Sequence, residues 1–232
     1  MNKPLIIALD FQEQTKCLNF LKSLMQQGYK PFVKVGLEMF INYGQDFIKA
    51  LRDWDLPVFL DLKLNDIPNT VERTCEVIAK WNITYLTVHA NGGSQMIAAA
   101  KRGLQTADNR TKLLAVTQLT SLDDNDLRND FKIEMTSQEN VFNLAQLAFK
   151  SGADGVICSA AENLEIKAKT STNFLCINPG IRPAWSDRNE QKRVVTPTQA
   201  KVFQSDGIVV GRPITQAQNE IEAYRKIQGE WN

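Results

Sequence analysis

The sequence predicts an α/β protein, a single-domain (β/α)8 TIM barrel over residues 1–232, from three features. Short apolar runs recur at an even interval, and longer polar segments with helical spacing lie between them. Several runs are apolar on both alternations, such as Val58-Phe59-Leu60 and Ile208-Val209-Val210, as a parallel strand buried on both faces requires. About eight such units share the 232 residues, about 29 each, close to the roughly 30 that a βαβ unit occupies. Eight parallel repeats of that size close into a barrel. The rival, an open doubly wound sheet, would carry G-x-G-x-x-G after its first strand, and none stands there.

In chain order, strands are expected near Leu5 to Leu9, Phe32 to Gly36, Val58 to Asp61, Tyr85 to His89, Leu113 to Gln118, Gly155 to Cys158, Phe174 to Ile177 and Gly207 to Val210. Between them, Val71 to Trp81 puts Val71, Cys75 and Ile78 on one helical stripe, and Val141 to Phe149 does so with Val141, Leu144, Ala145 and Ala148. Ser151-Gly152 stops the helix of Asn140 to Lys150, and Pro197 and Pro213 each stand where a first helical turn begins. The longest irregular stretches, Thr120 to Ser137 and Pro179 to Pro197, follow strands at the end where a barrel keeps its active site. No linker, low-complexity tract or charge block marks a domain boundary.

Composition narrows the function. Lys and Arg number 27 against 26 Asp and Glu, a net charge of +1, which disfavours a nucleic-acid scaffold held by phosphate neutralisation. A hydrophobic content of 43% disfavours disorder. No run approaches the roughly 18 apolar residues of a spanning helix, and Leu5 to Leu9, which turns acidic at Asp10, is too short for a signal peptide. A cytoplasmic protein without membrane or nucleic-acid partners is expected. Cys17, Cys75, Cys158 and Cys176 lack C-x-x-C spacing and read as buried free thiols. The one histidine, His89, excludes a multi-histidine metal site within the chain, so no metal ligands are assigned and acid/base chemistry falls on carboxylates and lysines.

The third strand ends Asp61-Leu62-Lys63-Leu64-Asn65-Asp66-Ile67-Pro68-Asn69-Thr70. Residues two apart share a face of an extended chain, so Asp61 and Lys63 project together while Leu60 and Leu62 pack outward. A carboxylate and an ammonium about 4 Å apart attract by roughly 4 kcal/mol at an effective dielectric near 20. That attraction aims the lysine. Each piece has a plainer reading, since an isolated Asp-x-Lys is commonly a solvated ion pair and Asp66 before Ile67-Pro68 suits an N-cap. Against it, three charges stand at the carboxyl end of an apolar strand, where barrel enzymes place catalytic groups. Asp10 closes the first strand and Lys34 interrupts the second. A lysine in a buried strand is costly unless paired, so Asp10, Lys34, Asp61, Lys63 and Asp66 form five charges available to one site.

The eighth strand leads into Gly211-Arg212-Pro213. Glycine admits close backbone approach, Arg212 offers a bidentate fork, and Pro213 starts a helix whose N-terminus favours an anion. Many α/β barrels bind phosphate at this place. The seventh strand leads into Asn178-Pro179-Gly180-Ile181-Arg182-Pro183 and a polar loop through Asp187, Arg188, Glu190, Gln191 and Lys192. The loop's length alone fits a surface connection, and its position beside the phosphate place suits a lid. His89, ending strand four, is read as organising hydrogen bonds around the site rather than as catalytic.

In order along nearly the whole chain, Ala8-Leu9-Asp10, Lys34-Val35-Gly36, Asp61 through Thr70, Val88-His89-Ala90, Val116 through Ser121, Pro179 through Pro183 and Val210 through Pro213 resemble the orotidine 5′-phosphate decarboxylase family, above all its bacterial branch. The Asp-x-Lys-x-x-Asp-Ile-Pro-Asn-Thr segment is the specific part. The resemblance implies decarboxylation of orotidine monophosphate to UMP in de novo pyrimidine biosynthesis, by a homodimer and without a cofactor. It implies that Lys63 protonates C6 of the pyrimidine, flanked by Asp61 and by Asp66 contributed across the dimer interface. Asp10 and Lys34 would hold the ribose hydroxyls, with Lys34 also in the catalytic array and Asp61 also against the substrate. Thr70 would reach the ribose in the neighbouring subunit's site and Thr120 the pyrimidine, while Gln191 would bridge the closed lid to a phosphate gripped by Arg182, Gly211 and Arg212.

Two positions depart from the family pattern: Asn178, where Thr or another small residue is expected, and Asn65, in place of His or an aromatic. Neither is an implied ligand, so both are expected to touch lid geometry or substrate access. Two alternatives stay open. A Mg-dependent sugar-phosphate decarboxylase of the 3-keto-gulonate-phosphate type shares the Asp-x-Lys-x-x-Asp core and would take Glu38 as a second metal ligand; Ile67-Pro68-Asn69-Thr70 and the Thr120 region stand against it. A non-catalytic nucleotide-binding barrel is opposed by the intact Asp61, Lys63 and Asp66.

Overall fold

Strands that are apolar on both faces must lie between two buried surfaces, and this chain meets that demand by closing a barrel inside a ring of helices. The computed structural model describes residues 3–107, 111–186 and 194–232. Its elements run β1 (Leu5–Ala8), α1 (Gln14–Gln26), β2 (Phe32–Gly36), α2 (Leu37–Asp53, broken at Gly44), β3 (Val58–Leu64), α3 (Pro68–Ala79), β4 (Tyr85–His89), α4 (Gly93–Leu104) and β5 (Lys112–Val116). They continue through α5 (Asp124–Asn129), α6 (Ser137–Lys150), β6 (Gly155–Ile157), α7 (Asn163–Lys169), β7 (Leu175–Asn178), α8 (Pro197–Val202), β8 (Gly207–Val210), α9 (Arg212–Thr215) and α10 (Glu220–Trp231). Each strand pairs in parallel with the next, and β8 closes on β1. The expected (β/α)8 barrel is therefore the observed fold.

Period two sorts each strand into two cores. Ile7, Val33, Leu60, Leu86, Leu113, Val156 and Ile208 face the helices, whereas Ile6, Phe59, Tyr85, Leu114, Ile177 and Val209 fill the barrel, with Phe32 against them. Two residues further along, the same inward face carries Lys34 above Phe32, Asp61 above Phe59 and Thr87 above Tyr85. The apolar plug thus puts polar groups only at the carboxyl mouth of these strands. At the opposite end, Asp154 and Asp206 each precede a strand. Asp154 accepts the Leu113 N–H at 2.8 Å and the Lys101 ammonium at 2.6 Å; Asp206 accepts the Cys176 N–H at 2.9 Å and the Lys167 ammonium at 2.7 Å.

Several boundaries differ from the sequence expectation. Helix α3 starts at Pro68 rather than Val71, because proline suits the first turn there as it does at Pro197. Strand β3 continues to Leu64, past Asp61, and its register against β4 shifts between Leu60 and Leu64. The stretch Thr120 to Ser137 is not wholly irregular: α5 is held by a reciprocal cap between Asp123 and Asp126, and its one buried residue, Leu127, supplies no apolar period to read. All four cysteines are buried and free. Among the described residues no helix is long and apolar enough to cross a membrane.

Candidate active site

Strand ends β1, β2 and β3 gather the charges. One oxygen of Asp61, Oδ2, lies 2.9 Å from Lys63 Nζ and 3.4 Å from Lys34 Nζ, and Lys34 Nζ is 3.9 Å from Asp10 Oδ1. Lys34 fits because Gly36, two residues on along β2 and paired with Asp61, has no side chain; a Cβ there would come within 3.2 Å of the Lys34 ammonium. The other Asp61 oxygen, Oδ1, accepts the hydroxyl of Thr87 at 2.9 Å. Burial pushes the Asp61 carboxyl up, but the charges of Lys34 and Lys63 and the hydrogen bonds from Lys63 and Thr87 outweigh it and hold the group below its ordinary range. Asp61 is therefore ionised at neutral pH.

Lys63 does not follow simple strand alternation. Its φ is +51°, in the left-handed region, which costs a side-chain-bearing residue about 1–3 kcal/mol. The turn lies in the register shift of β3 and brings the ammonium back beside Asp61. Asp66 and Thr70 are exposed at the start of α3 and are not among the residues lining the cavity over Asp61 and Lys63. Asp66 bonds the adjacent Ile67 N–H at 2.7 Å, and the N-cap of α3 is Ile67, so the capping alternative for Asp66 does not apply.

A cavity of about 240 Å³ sits over the array, with Lys34, Asp61 and Lys63 on its floor and Gln118, Thr120, Cys158 and Pro179 among its walls. A second, of about 390 Å³, shares Lys34, Pro179 and Val209 with it and adds Asp10, Gly180, Arg182, Gly211, Arg212 and Gln216. The pair make one elongated site with carboxylate and ammonium groups at one end and two guanidinium groups at the other. Pro213 does open a helix, as expected, but α9 is a single turn, too short to build a macrodipole, so the positive charge at that end of the cavity is that of Arg182 and Arg212. A larger cavity of about 770 Å³ lies to one side and takes only Asp10 from the charged array.

Glu38 lines that lateral cavity and not the one over Asp61. The ligand that the sugar-phosphate alternative would take thus does not line the cavity over Asp61, and among the described residues no group of three or more His, Cys, Asp or Glu gathers as a metal site. Gln191, with Asp187, Arg188, Glu190 and Lys192, lies outside the described residues. The two described flanks of that loop meet where the Arg182 N–H donates to the Val195 carbonyl at 2.9 Å.

Asn178 does not act where the sequence suggested. It is fully buried behind the site, where its amide donates to the Cys158 carbonyl and to Asn163 Oδ1, both at 2.9 Å, while Asn163 donates to Asn178 Oδ1 and Ser205 Oγ. The Asn178 amide thus ties down the root of the Pro179-Gly180 wall. Asn65 is exposed at the turn after β3. Hydrogen bonding with Cys176, followed by burial, pushes the Cys158 thiol well up, so it stays a neutral thiol in the cavity wall. Burial, then the Lys63 charge, pull the His89 imidazole down, with Asp61 partly opposing. Among the described residues the buried Nδ1 of His89 meets no hydrogen-bond partner. Sequence reasoning missed Thr87, Gln118 and Gln216; only strand alternation above Tyr85 could have pointed to Thr87.

Comparison with known proteins points to one family. The family model described as orotidine 5′-phosphate decarboxylase / HUMPS family matches residues 3–227. Orotidine 5′-phosphate decarboxylase of Lactococcus lactis subsp. cremoris (strain SK11) is 46% identical, with 100% of this chain and 98% of the relative covered. The protein of the same name from Ligilactobacillus salivarius (strain UCC118) is 48% identical, covering 97% and 96%. The crystal structure of orotidine 5′-phosphate decarboxylase from Lactobacillus acidophilus superposes with a TM-score of 0.88 at 45% identity over 100% of both chains. That of an uncharacterized conserved protein from Geobacillus kaustophilus does so at 0.86 and 37%, over 99% of this chain and 100% of that one.

Proposed function

Since the chain belongs to the orotidine 5′-phosphate decarboxylase / HUMPS family, we propose that it converts orotidine 5′-monophosphate to UMP and CO2, with no cofactor and with Lys63 as the proton donor. The observation that carries this reading is the Asp61 carboxylate set between the Lys34 and Lys63 ammonium groups, in a cavity joined to one lined by Arg182 and Arg212. Breaking the bond from C6 to the carboxylate leaves an electron pair on C6 that no ring carbonyl is placed to delocalise. Stabilisation must come from a cation already in position. Lys63 supplies that charge and then the proton, and the resulting amine recovers a proton from water. Asp61 opposes the substrate carboxylate, and the opposition disappears as neutral CO2 leaves.

Arg182, Gly211 and Arg212 would grip the phosphate, so that binding energy remote from C6 offsets the cost of forcing like charges together. Asp10 and Lys34 would take the ribose hydroxyls and Thr120 the pyrimidine, with Gln191 closing over the phosphate. The exposure of Asp66 and Thr70 at the start of α3 suits their reaching the site of a second copy in a homodimer. Residues 1–232 would act as one barrel domain in the cytoplasm, in de novo pyrimidine biosynthesis. Loss of orotidine monophosphate ultraviolet absorbance, unaffected by EDTA, is the expected result on mixing. No loss, or a loss that EDTA abolishes, overturns the reading. Lys63→Ala should lower kcat by more than about 10³-fold while UMP still binds; near-parent turnover would remove Lys63 from the mechanism.

A further inference from the structure

Thr87 is fully buried inside the barrel mouth and touches both members of the central pair. Its Oγ1 donates to Asp61 Oδ1 at 2.9 Å and accepts the Lys63 backbone N–H at 2.9 Å. The first bond fixes the rotation of the carboxylate, leaving Oδ2 to face both ammonium groups. The second falls inside the β3–β4 register shift, between the pairs Leu60–Leu86 and Leu64–Val88, where Lys63 has no strand partner and the hydroxyl replaces a ladder carbonyl. It holds the backbone at the one residue of β3 with positive φ. We propose that Thr87 is a positioning residue, whose single hydroxyl sets the Asp61 carboxylate and the Lys63 backbone relative to each other. What that positioning serves rests on the decarboxylase reading.

The hydroxyl is used fully in this arrangement, its proton given to Asp61 and a lone pair to Lys63. Valine matches threonine in shape and makes neither bond; serine makes both. The charged groups facing Asp61 are Lys34 from β2, Lys63 from its own strand and, at longer range, His89 from β4, with Asp10 on Lys34. None of these charges is removed in a Thr87 variant. Loss of the donor therefore leaves Asp61 less well stabilised as an anion, and its carboxyl moves up.

The test compares Thr87→Val and Thr87→Ser with the parent. Thr87→Val should lose about 10- to 100-fold in kcat, the range of a hydrogen bond to a charged group, with KM within about threefold. The acid limb of its kcat/KM profile should move to higher pH, and Thr87→Ser should restore parent values. In substrate-free protein, carboxyl carbon NMR should show the Asp61 midpoint raised in Thr87→Val and unmoved in Thr87→Ser. Thr87→Ala repeats the comparison if the valine variant does not fold. Parent kcat with a parent Asp61 midpoint in the hydroxyl-free variant overturns the proposal, as does a serine variant as damaged as the valine one. A parent protein inactive on orotidine monophosphate would instead overturn the decarboxylase reading, and the carboxyl titration would still decide the role of Thr87.

Discussion

The single imidazole of His89 sits close enough to the array to report its charge. Burial and Lys63 disfavour its protonation and Asp61 favours it, so its midpoint should lie below 6.5 in the folded protein and fall further in Asp61→Asn, where the one favourable charge is gone. An NMR titration gives one histidine signal to follow; a midpoint that rises in Asp61→Asn would mean that Asp61 does not act on the ring as the geometry requires. Both groups also make stability fall with acid. Below 6.5 the unfolded chain binds a proton at His89 that the folded chain resists, and below the ordinary Asp value of 3.8 the stability contributed by the depressed Asp61 is lost as pH falls through its folded value. At this scale Asp61, Lys63 and Lys34 were legible because a charge in an apolar strand is costly and needs a reason. Thr87 was not, because a β-branched residue in a strand needs none.

Among the elements, α3 carries the turn that presents Asp66 and Thr70, and α4 holds α3 in place through Gly103. A Cβ on Gly103 would lie 2.3 Å from the Glu72 carbonyl oxygen and 2.8 Å from the Cys75 Cβ, both on α3. Gly103→Ala would gain about 1 kcal/mol in helix propensity, but the obstacle is backbone that cannot swing aside, and overpacking costs about 1–3 kcal/mol. The expected outcome in urea unfolding is a net loss of up to about 2 kcal/mol, with reduced turnover as α3 shifts. Gly229→Ala in α10, where nothing lies within 4 Å, should gain about 0.5–1 kcal/mol instead; equal shifts in the two variants would contradict the packing argument. The strands, and α3 and α6 among the helices, were legible through their periods. The short α5 was not, since its caps leave too few apolar positions to set a phase, and α9 showed only through Pro213 at its first turn. The reversal at Lys63 was hidden for a related reason, as alternation carries no sign of a register shift.

For the whole molecule, a net charge of +1 conceals a division between the two ends of the barrel. At the carboxyl mouth, Asp61 and its lysines face a cavity. At the amino end, Asp154 and Asp206 each join a lysine to the N–H of the preceding strand and face none of the site cavities. Nothing in the sequence singles out Asp154 or Asp206, because the strand each aspartate pairs with is fixed by barrel closure and not by neighbours in the chain. The two kinds of charge should separate in experiment. Asp206→Asn leaves the Lys167 ammonium, 9% exposed, without its carboxylate, and should cost about 1–3 kcal/mol of stability with turnover of the folded protein unchanged. Lys63→Ala should do the reverse, because Asp61 keeps Lys34 and Thr87 while the cation beside it is gone. Urea midpoints and kcat measured on both variants decide the matter: loss of turnover in Asp206→Asn at parent stability would mean that charge at the amino end reaches the chemistry, and the division between a stabilising and a reacting end of the barrel would fail.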